Sequence, residues 1–161
     1  MGLDMYLTKR YYIGGQYDFK EVRGVVDIQA KDGSLRLDAK ELDSLEVHVG
    51  YWRKANAIHG WFVNHCSDSG EDDCRPMWVS VERLIKLREL CQKILDMPEG
   101  SQREQFIRSN LPPTEGFFFG GTDIDEYYFQ DLRDTVEILK NVSLKENEDP
   151  FFDGYRYQAS W

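Results

Sequence analysis

Two stretches of alternating residues, one near each end of the sequence, most constrain what this chain can fold into. The first runs from Leu3 to Thr8 and the second from Tyr155 to Trp161, and in both an apolar residue alternates with a more polar one. A period of two residues is typical of a strand that is buried on one face only. Each stretch therefore predicts a half-buried strand.

Further strand signals lie between these two stretches. Asp32-Gly33 separates two short alternating runs and predicts a β-hairpin with a type I′ turn, because that turn needs positive φ at both central residues. Strand character returns around residues 47–49. The "MWV" of residues 77–79 predicts a short strand, and "GFFFGG" predicts a buried strand over Phe117–Phe119.

Three segments have the period of a helix. Apolar residues at helical spacing predict helices over about Trp52–Cys66, Val81–Leu95 and Ile124–Val142, and "SQREQFIRSN" favours a further short helix. The order of strands and helices predicts an α+β fold, a mainly antiparallel sheet with about three helices packed on one face. With no repeat or linker in the sequence, we expect a single domain over residues 1–161.

The net charge of −9 limits the partners that we expect this chain to bind. Nucleic acids and anionic membranes attract clusters of lysine and arginine, so direct binding to either is not expected. The sequence has no apolar run of membrane-spanning length and no pattern of a signal peptide. Three cysteines without a Cys-x-x-Cys motif are typical of a reduced protein, so we expect a cytoplasmic location.

The segment "VGYWRKANAIHGWFVNHC" concentrates residue types that act in active sites. Its helical projection, at about 100° per residue, divides these residues between two faces. Asn56 and His59 fall on the apolar face. Arg53, Lys54 and Trp61 fall outside it and are expected to face solvent.

Polar side chains also fall on the apolar faces of the other two long helices. A buried charge needs a partner, so we expect Arg88 and Asp131 to pair or to line a shared wet cavity, with His59 in the same group. One interpretation is an internal hydrogen-bond network that fixes the helix register, and the other is a polar ligand pocket. The candidate residues for either are Asn56, His59, Arg88, Asp131, Tyr127 and Tyr128.

No pattern in the sequence specifies catalytic residues, a metal site or a cofactor. His59 and His65 are six residues apart and face different ways on a helix, which argues against a shared metal ion. Cys66 and Cys91 fall on apolar faces and are expected in the core rather than as nucleophiles. We therefore expect no metal and no cofactor, and the sequence favours a protein that is not an enzyme.

Aromatic residues away from the apolar helix faces predict a protein interface. Tryptophan, tyrosine and arginine are the residue types that anchor such interfaces. The predicted partner surface consists of Arg53, Lys54, Trp61 and Trp78. The alternative is that exposed aromatic side chains cover the second face of the sheet, and the sequence leaves a homo-oligomer open.

Four long strings of the sequence resemble a family of short hypothetical proteins from tailed bacteriophages and prophages. They are "MGLDMYLTKRYY", "VGYWRKANAIHGWFV", "LPPTEGFFFGGTDIDEYYFQDLRDTVEIL" and "YRYQASW". The resemblance covers most of the chain and is weaker over Val22–Leu42 and Asp96–Ser109. It carries no catalytic residue to this chain. What it implies is a phage accessory protein that acts in the bacterial cytoplasm.

Three functions from different classes are consistent with these features. The first is a non-enzymatic binding protein with a protein partner in the bacterial host, acting as an inhibitor of a host or defence component. The second is a pocket built around His59, or an enzyme, for a nucleotide-like small ligand. The third is a minor structural protein of the virion.

Overall fold

The structure, a computed structural model, describes residues 2–14, 28–37, 41–116, 118–149 and 151–161. The strands in these residues are β1 (Asp4–Tyr12), β2 (Ile28–Gln29), β3 (Arg36–Leu37), β4 (Ser44–Arg53), β5 (Met77–Val79) and β6 (Phe152–Ser160). The helices are α1 (Asn56–Cys66), α2 (Val81–Asp96), α3 (Ser101–Asn110) and α4 (Glu126–Leu139), and a 3-10 helix spans Leu144–Glu148.

Four strands form one antiparallel sheet in the order β4-β1-β6-β5. The central strand is β1, which pairs with β4 on one side and with β6 on the other. Leu7 in the middle of β1 lies opposite Gly50 of β4 and Tyr157 of β6. The alternating stretches at the two ends of the sequence are therefore neighbours in the sheet. β2 and β3 pair with each other in a separate hairpin.

One face of the four-stranded sheet forms the base of the core. Met5, Leu7 and Tyr157 are fully buried on this face, whereas Tyr6 and Thr8, which alternate with them in β1, are half-buried on the other. Side chains of a strand point alternately to opposite faces, so the helices cover only the first face. The buried apolar cluster joins the inward strand residues to the apolar faces of all four α-helices.

Local capping interactions determine where α2 and α4 begin. The Ser80 hydroxyl accepts a hydrogen bond from the N–H of Arg83, and the Asp125 carboxylate accepts from the N–H groups of Tyr127 and Tyr128. These side chains satisfy backbone donors that the first helical turn leaves unpaired. The two helices pack against each other, and α4 also crosses β4.

The structure confirms the predicted α+β class and its mainly antiparallel sheet. The strands predicted near both ends of the sequence correspond to β1 and β6, and "MWV" corresponds to β5. The helix predicted over Val81–Leu95 is α2, and the short helix predicted in "SQREQFIRSN" is α3. Periodicity identified these elements because each buries only one side.

Two of the predicted helices differ in their boundaries. The four α-helices of the described residues are the three predicted long helices and the further short helix. The helix predicted from Trp52 begins at Asn56, because β4 continues through Arg53 in its ladder with β1. The helix predicted over Ile124–Val142 is α4, which is shorter at both ends and starts directly after the capping Asp125.

The strand predicted in "GFFFGG" and the turn type predicted at Asp32-Gly33 also differ from the structure. Phe118 and Phe119 form no strand, because Phe118 has a φ of 69° and lies in a turn, and Phe117 is outside the described residues. The hairpin at Asp32-Gly33 is confirmed, but its turn is not type I′ because only Gly33 has positive φ. Asp32 instead accepts hydrogen bonds from the Ser34 N–H and hydroxyl.

Gly50 allows α4 to pack closely on β4, and its replacement tests this packing. A Cβ at Gly50 would lie 2.7 Å from Ile138 Cγ2 and 3.1 Å from the Trp52 ring. We expect Gly50→Ala to lower the free energy of unfolding by about 1–3 kcal/mol, because the helix must move away from the strand. Urea unfolding measures this loss.

The matched control for Gly50→Ala is Gly121→Ala. A Cβ at Gly121 would have no heavy atom within 4 Å. We expect this control to change the free energy of unfolding by no more than about 0.5 kcal/mol. Equal losses in the two variants would contradict the packing role of Gly50.

Candidate functional site

His59, the residue on which the sequence focused attention, lies in a buried polar network. Its Nδ1 is 2.8 Å from the Tyr157 hydroxyl and its Nε2 is 3.4 Å from Asp72 Oδ2. Trp161 Nε1 donates to the same Asp72 oxygen at 2.6 Å. The Phe119 ring packs edge-on against the imidazole at 4.9 Å between ring centroids.

The partners of His59 determine its proton state. The carboxylate of Asp72 can only accept, so Nε2 carries the proton of the neutral ring and Nδ1 accepts from the Tyr157 O–H. Burial lowers the pKa of His59 and outweighs the charge of Asp72, which raises it. Burial also raises the pKa of Tyr157. His59 and Tyr157 are therefore both neutral near pH 7. Their contacts with each other and with Asp72 connect α1, β6 and the loop before β5.

Arg88 has a different environment from His59. Its Nη1 donates to three backbone oxygens at the end of α4, those of Leu139 at 3.0 Å, Lys140 at 3.3 Å and Val142 at 2.9 Å. Carbonyl groups at a helix C-terminus lack intrahelical partners and attract a cation. Arg88 therefore caps α4 from α2.

The predicted grouping of His59, Arg88 and Asp131 is wrong. Asp131 forms no ion pair with Arg88, and the three side chains lie in three separate regions of the core. The projection identified polar residues on the inner faces of helices, but each of these residues meets a different partner segment. Neither one shared network nor one shared cavity holds all three.

The end of β4, the start of α1 and the first turns of α4 enclose a cavity of about 440 Å³, here called the α1–α4 pocket. Six of the ten residues that the sequence singled out line it. They are Arg53, Lys54, Asn56, Tyr127, Tyr128 and Asp131, and the remaining lining residues are Pro113, Gly120, Gly121, Asp123 and Asp125. The pocket therefore unites residues that the prediction divided between a ligand site and a partner surface.

Asn56 holds two walls of the α1–α4 pocket together. Its Nδ2 donates to the Phe119 oxygen at 3.3 Å and to the Gly121 oxygen at 2.7 Å, and its Oδ1 accepts from the Thr114 N–H at 3.1 Å. Both ends of the Asn56 amide are therefore bonded to backbone groups of the protein. Asn56 is thus a positioning residue.

Asp131 is a half-buried polar group of the pocket. Among the described residues, its carboxylate takes part in no hydrogen bond or ion pair, although the side chain is half-buried. Burial raises the pKa of Asp131 to about 7, with smaller contributions from the negative charges of Asp134 and Asp125. The carboxyl group therefore changes charge close to neutral pH.

The prediction that Trp61 faces solvent is wrong. Its side chain is only 6% exposed, packs edge-on against Phe62 and stacks on His65 at 4.4 Å between ring centroids. The segment after α3 also lies against α1 at the neighbouring Gly60, where an added Cβ would meet the side chain of Thr114. Projection cannot reveal a helix that is covered on both sides.

Trp78 and Tyr51, each about half exposed, lie on the face of the sheet that the helices leave uncovered. Rows of side chains cross this face, and strand register defines them. The open sheet face consists of Tyr51, Tyr6 and Gln158 in the first row, His48, Thr8, Arg156 and Trp78 in the second, and Glu46 and Arg10 in the third. Of the predicted partner surface, Trp78 belongs to it, and Arg53 extends it at one end.

Aromatic and arginine side chains support one another on the open sheet face. The Arg156 guanidinium lies 4.4 Å from the Trp78 ring centroid and donates to Glu46 at 3.0 Å. The Tyr51 hydroxyl donates to Asp4 Oδ1 at 2.5 Å. Each ring or guanidinium is held in place, so little side-chain entropy would be lost when a partner covers the face.

The arginines of the open sheet face already have acidic partners. Arg10 lies 3.3 Å from both Asp43 and Asp153, and Arg53 lies 3.9 Å from Asp4. A polyanion would have to displace these carboxylates. The charges of the face are therefore largely paired within the protein.

Sequence reasoning did not identify Asp72 and Tyr157 as partners of His59, or Trp161 as a partner of Asp72. Asp72 lies in a loop rich in acidic residues, and nothing in its local sequence distinguishes it from its neighbours. The open sheet face was detectable in part, because the period of two in β1 places Tyr6 and Thr8 opposite the core. Neither the composition of the acidic loop nor the period of two in β1 could show which distant segments come into contact.

Other features of the described residues give no additional chemistry. Cys66 and Cys91 are buried as expected, and burial raises the pKa of both thiols. In the described part of the chain, no three His, Cys, Asp or Glu side chains are placed to hold a metal ion. No helix among these residues is both long and apolar enough to cross a membrane.

Comparison with known proteins identified no relative, since no family model, no curated protein sequence and no solved structure matches the chain. The interpretation of the pocket and of the open sheet face therefore depends on their geometry.

The neutral state of His59 predicts a loss of stability in acid. The unfolded chain binds a proton near the ordinary value of 6.5, whereas burial delays protonation of the folded state. The free energy of unfolding should therefore fall as the pH is lowered through this range. His59→Gln should cost about 1–3 kcal/mol near pH 8, because Tyr157 and Asp72 lose a partner, and this cost should shrink toward about pH 5.

Urea unfolding of the wild type and of His59→Gln from about pH 5 to pH 8 separates the effect of His59 protonation from the effect of lost contacts. The difference near pH 8 reports lost contacts alone, since His59 is neutral there in both the folded and the unfolded chain. Parallel pH profiles for the wild type and His59→Gln would contradict a buried neutral imidazole.

Asp131 predicts a pH dependence of the opposite sign. Between its ordinary value of 3.8 and about 7 the folded protein retains a proton that the unfolded chain has lost, so stability falls as the pH rises through this range. We expect Asp131→Asn to raise the free energy of unfolding near pH 8 by about 1 kcal/mol, a value reduced for solvent screening.

Asp134→Asn is the control for Asp131→Asn, because Asp134 lies on the same helix but is exposed. Thermal unfolding near pH 8 compares the two variants directly. Equal stabilisation by both would show that the effect comes from the net charge rather than from the burial of Asp131.

Proposed function

We propose that this protein is a non-enzymatic binding protein whose open sheet face docks onto a basic surface of another protein. The observation that carries this proposal is the row arrangement on that face, where Tyr51 and Tyr6 are neighbours in one row and Trp78 lies beside Arg156 in the next. Exposed tryptophan, tyrosine and arginine are the side chains that contribute most to protein interfaces.

The charges of the face favour a protein partner over a nucleic acid. Its arginines already contact carboxylates, so phosphate groups would compete with existing ion pairs. The net charge of −9 instead attracts a positively charged protein surface and increases the rate of encounter. The partner surface that fits this face is therefore basic overall, with apolar groups that contact the aromatic rings.

The resemblance to phage and prophage proteins supports a bacterial setting for this interaction. The partner is then a cytoplasmic protein of the bacterial host, and covering its basic surface inhibits it. Proteins that bind nucleic acids carry basic surfaces of this kind. A component of host metabolism or of a defence system belongs within this class.

Replacement of the two most exposed aromatic residues of the face tests the proposal. Tyr51→Ala with Trp78→Ala should weaken partner binding by at least about 2 kcal/mol, because such side chains dominate binding energy. Both side chains are about half exposed, so the double variant should remain folded. The wild type and the variant serve as baits in extracts of a bacterial host, with quantitative mass spectrometry of the bound proteins.

Leu144→Ala is the matched control, since Leu144 is 56% exposed but lies on the 3-10 helix away from the face. We expect one protein with a basic surface to bind the wild type and this control, to be lost from the double variant, and to dissociate as salt is added. Equal recovery with all three baits, or binding that salt does not affect, would contradict the proposal.

A further inference from the structure

We propose that the α1–α4 pocket binds a small zwitterion, a molecule with an ammonium and a carboxylate group such as an amino acid or a dipeptide. This site is separate from the aromatic rows of the open sheet face and does not depend on the function proposed for them. Its volume of about 440 Å³ is in the range of small-ligand pockets.

The deeper charge of the pocket is the carboxyl group of Asp131. This carboxyl group is half-buried at the pocket wall, remains accessible there, and has neither a hydrogen bond nor a cation among the described residues. A ligand ammonium would supply both the donor and the opposite charge. Asp131 therefore selects for a cationic group.

Lys54 supplies the opposite charge on the same pocket. Its ammonium forms no ion pair with a described residue, and its side chain is exposed at the pocket wall. The aliphatic part of the Lys54 side chain packs near Gly2 and Gly120. A Cβ added at Gly2 would lie 3.4 Å from Lys54 Cε, and a Cβ added at Gly120 would lie 3.6 Å from Lys54 Cβ. A ligand carboxylate is the natural partner for this ammonium.

The backbone at Lys54 is held in an uncommon conformation. Its φ of 61° lies in the left-handed region, which costs a non-glycine residue about 1 kcal/mol or more. Two hydrogen bonds hold the turn, from the Lys54 N–H to the Leu3 oxygen and from the Asn56 N–H to the Lys54 oxygen, each 2.8 Å long. This turn places Lys54 beside the pocket instead of in β4 or α1.

The remaining polar groups of the pocket are largely occupied within the protein. Asn56 bonds to both walls, the Tyr128 hydroxyl donates to the Leu111 oxygen at 2.9 Å, and Asp125 caps α4. These bonds form a rigid frame that exists before a ligand binds. Tyr127 also lines the pocket and is 82% exposed, so its ring is accessible to the ammonium or to an apolar ligand side chain.

The mixture of charges disfavours ligands of a single sign. A nucleotide or a dicarboxylate would meet the carboxyl groups of Asp123, Asp125 and Asp131. A polyamine would meet the cations of Arg53 and Lys54. Only a molecule with both charges is matched at both ends, which is why a zwitterion is the expected ligand.

A calorimetric binding screen of the full chain near pH 8 tests the proposal. The probes are the twenty standard amino acids and a set of dipeptides, with spermidine, succinate and AMP as ligands of a single charge type. We expect at least one zwitterion to bind with a Kd of about 1 mM or lower and the single-charge probes to bind at least about tenfold more weakly. The two zwitterion sets distinguish a free amino acid from a peptide.

Single substitutions test whether the charges of Asp131 and Lys54 are responsible for the binding. Asp131→Asn should weaken zwitterion binding at least about tenfold, and Lys54→Ala should weaken it as well, whereas Asp134→Asn on the exposed side of α4 should not. The expected higher stability of Asp131→Asn means that a loss of binding cannot be attributed to unfolding. Lys54→Gly provides a second test, because glycine tolerates the left-handed φ at this position.

Three outcomes would overturn the proposal. They are no zwitterion binding at concentrations up to about 10 mM, tighter binding of spermidine, succinate or AMP than of any zwitterion, and zwitterion binding that Asp131→Asn leaves unchanged. None of these outcomes bears on docking at the open sheet face, because Tyr51 and Trp78 do not line the pocket.

Discussion

The pairing of β1 between β4 and β6 is the interaction on which the rest of the structure depends. It brings the two alternating stretches of the sequence side by side and gives the sheet one buried face and one open face. The buried face orders the helices, because their apolar faces can be removed from water only there. The open face is left to the polar and aromatic residues that alternate with the core positions.

The same strand pairing positions the polar groups of the interior. β6 places Tyr157 beneath α1, where its hydroxyl meets His59. β4 ends at Arg53, so the chain must turn at Lys54 before α1 begins, and the α1–α4 pocket opens beside that turn. The sheet therefore determines where His59 and the residues of the α1–α4 pocket meet their partners.

The three inward-facing polar residues of the helices illustrate three different outcomes of burial. His59 is neutral and lies between Tyr157 and Asp72, Arg88 donates to carbonyl groups of a neighbouring helix, and Asp131 has no hydrogen bond or ion pair among the described residues. The first two stabilise the frame of the protein. The third places a carboxyl group with a raised pKa at the wall of a cavity, and such groups occur preferentially at binding sites.

The sequence by itself determined the class of fold, the positions of β1, β5, β6, α2 and α3, and the polar residues on inner helix faces, because these follow from local periodicity and capping. Tertiary structure decided which distant residues meet. It brought His59 into contact with Tyr157 of β6 and with Asp72 in the loop before β5. It also buried Trp61. Contacts between distant segments depend on how the sheet and helices pack together, and no local pattern in the sequence records that packing.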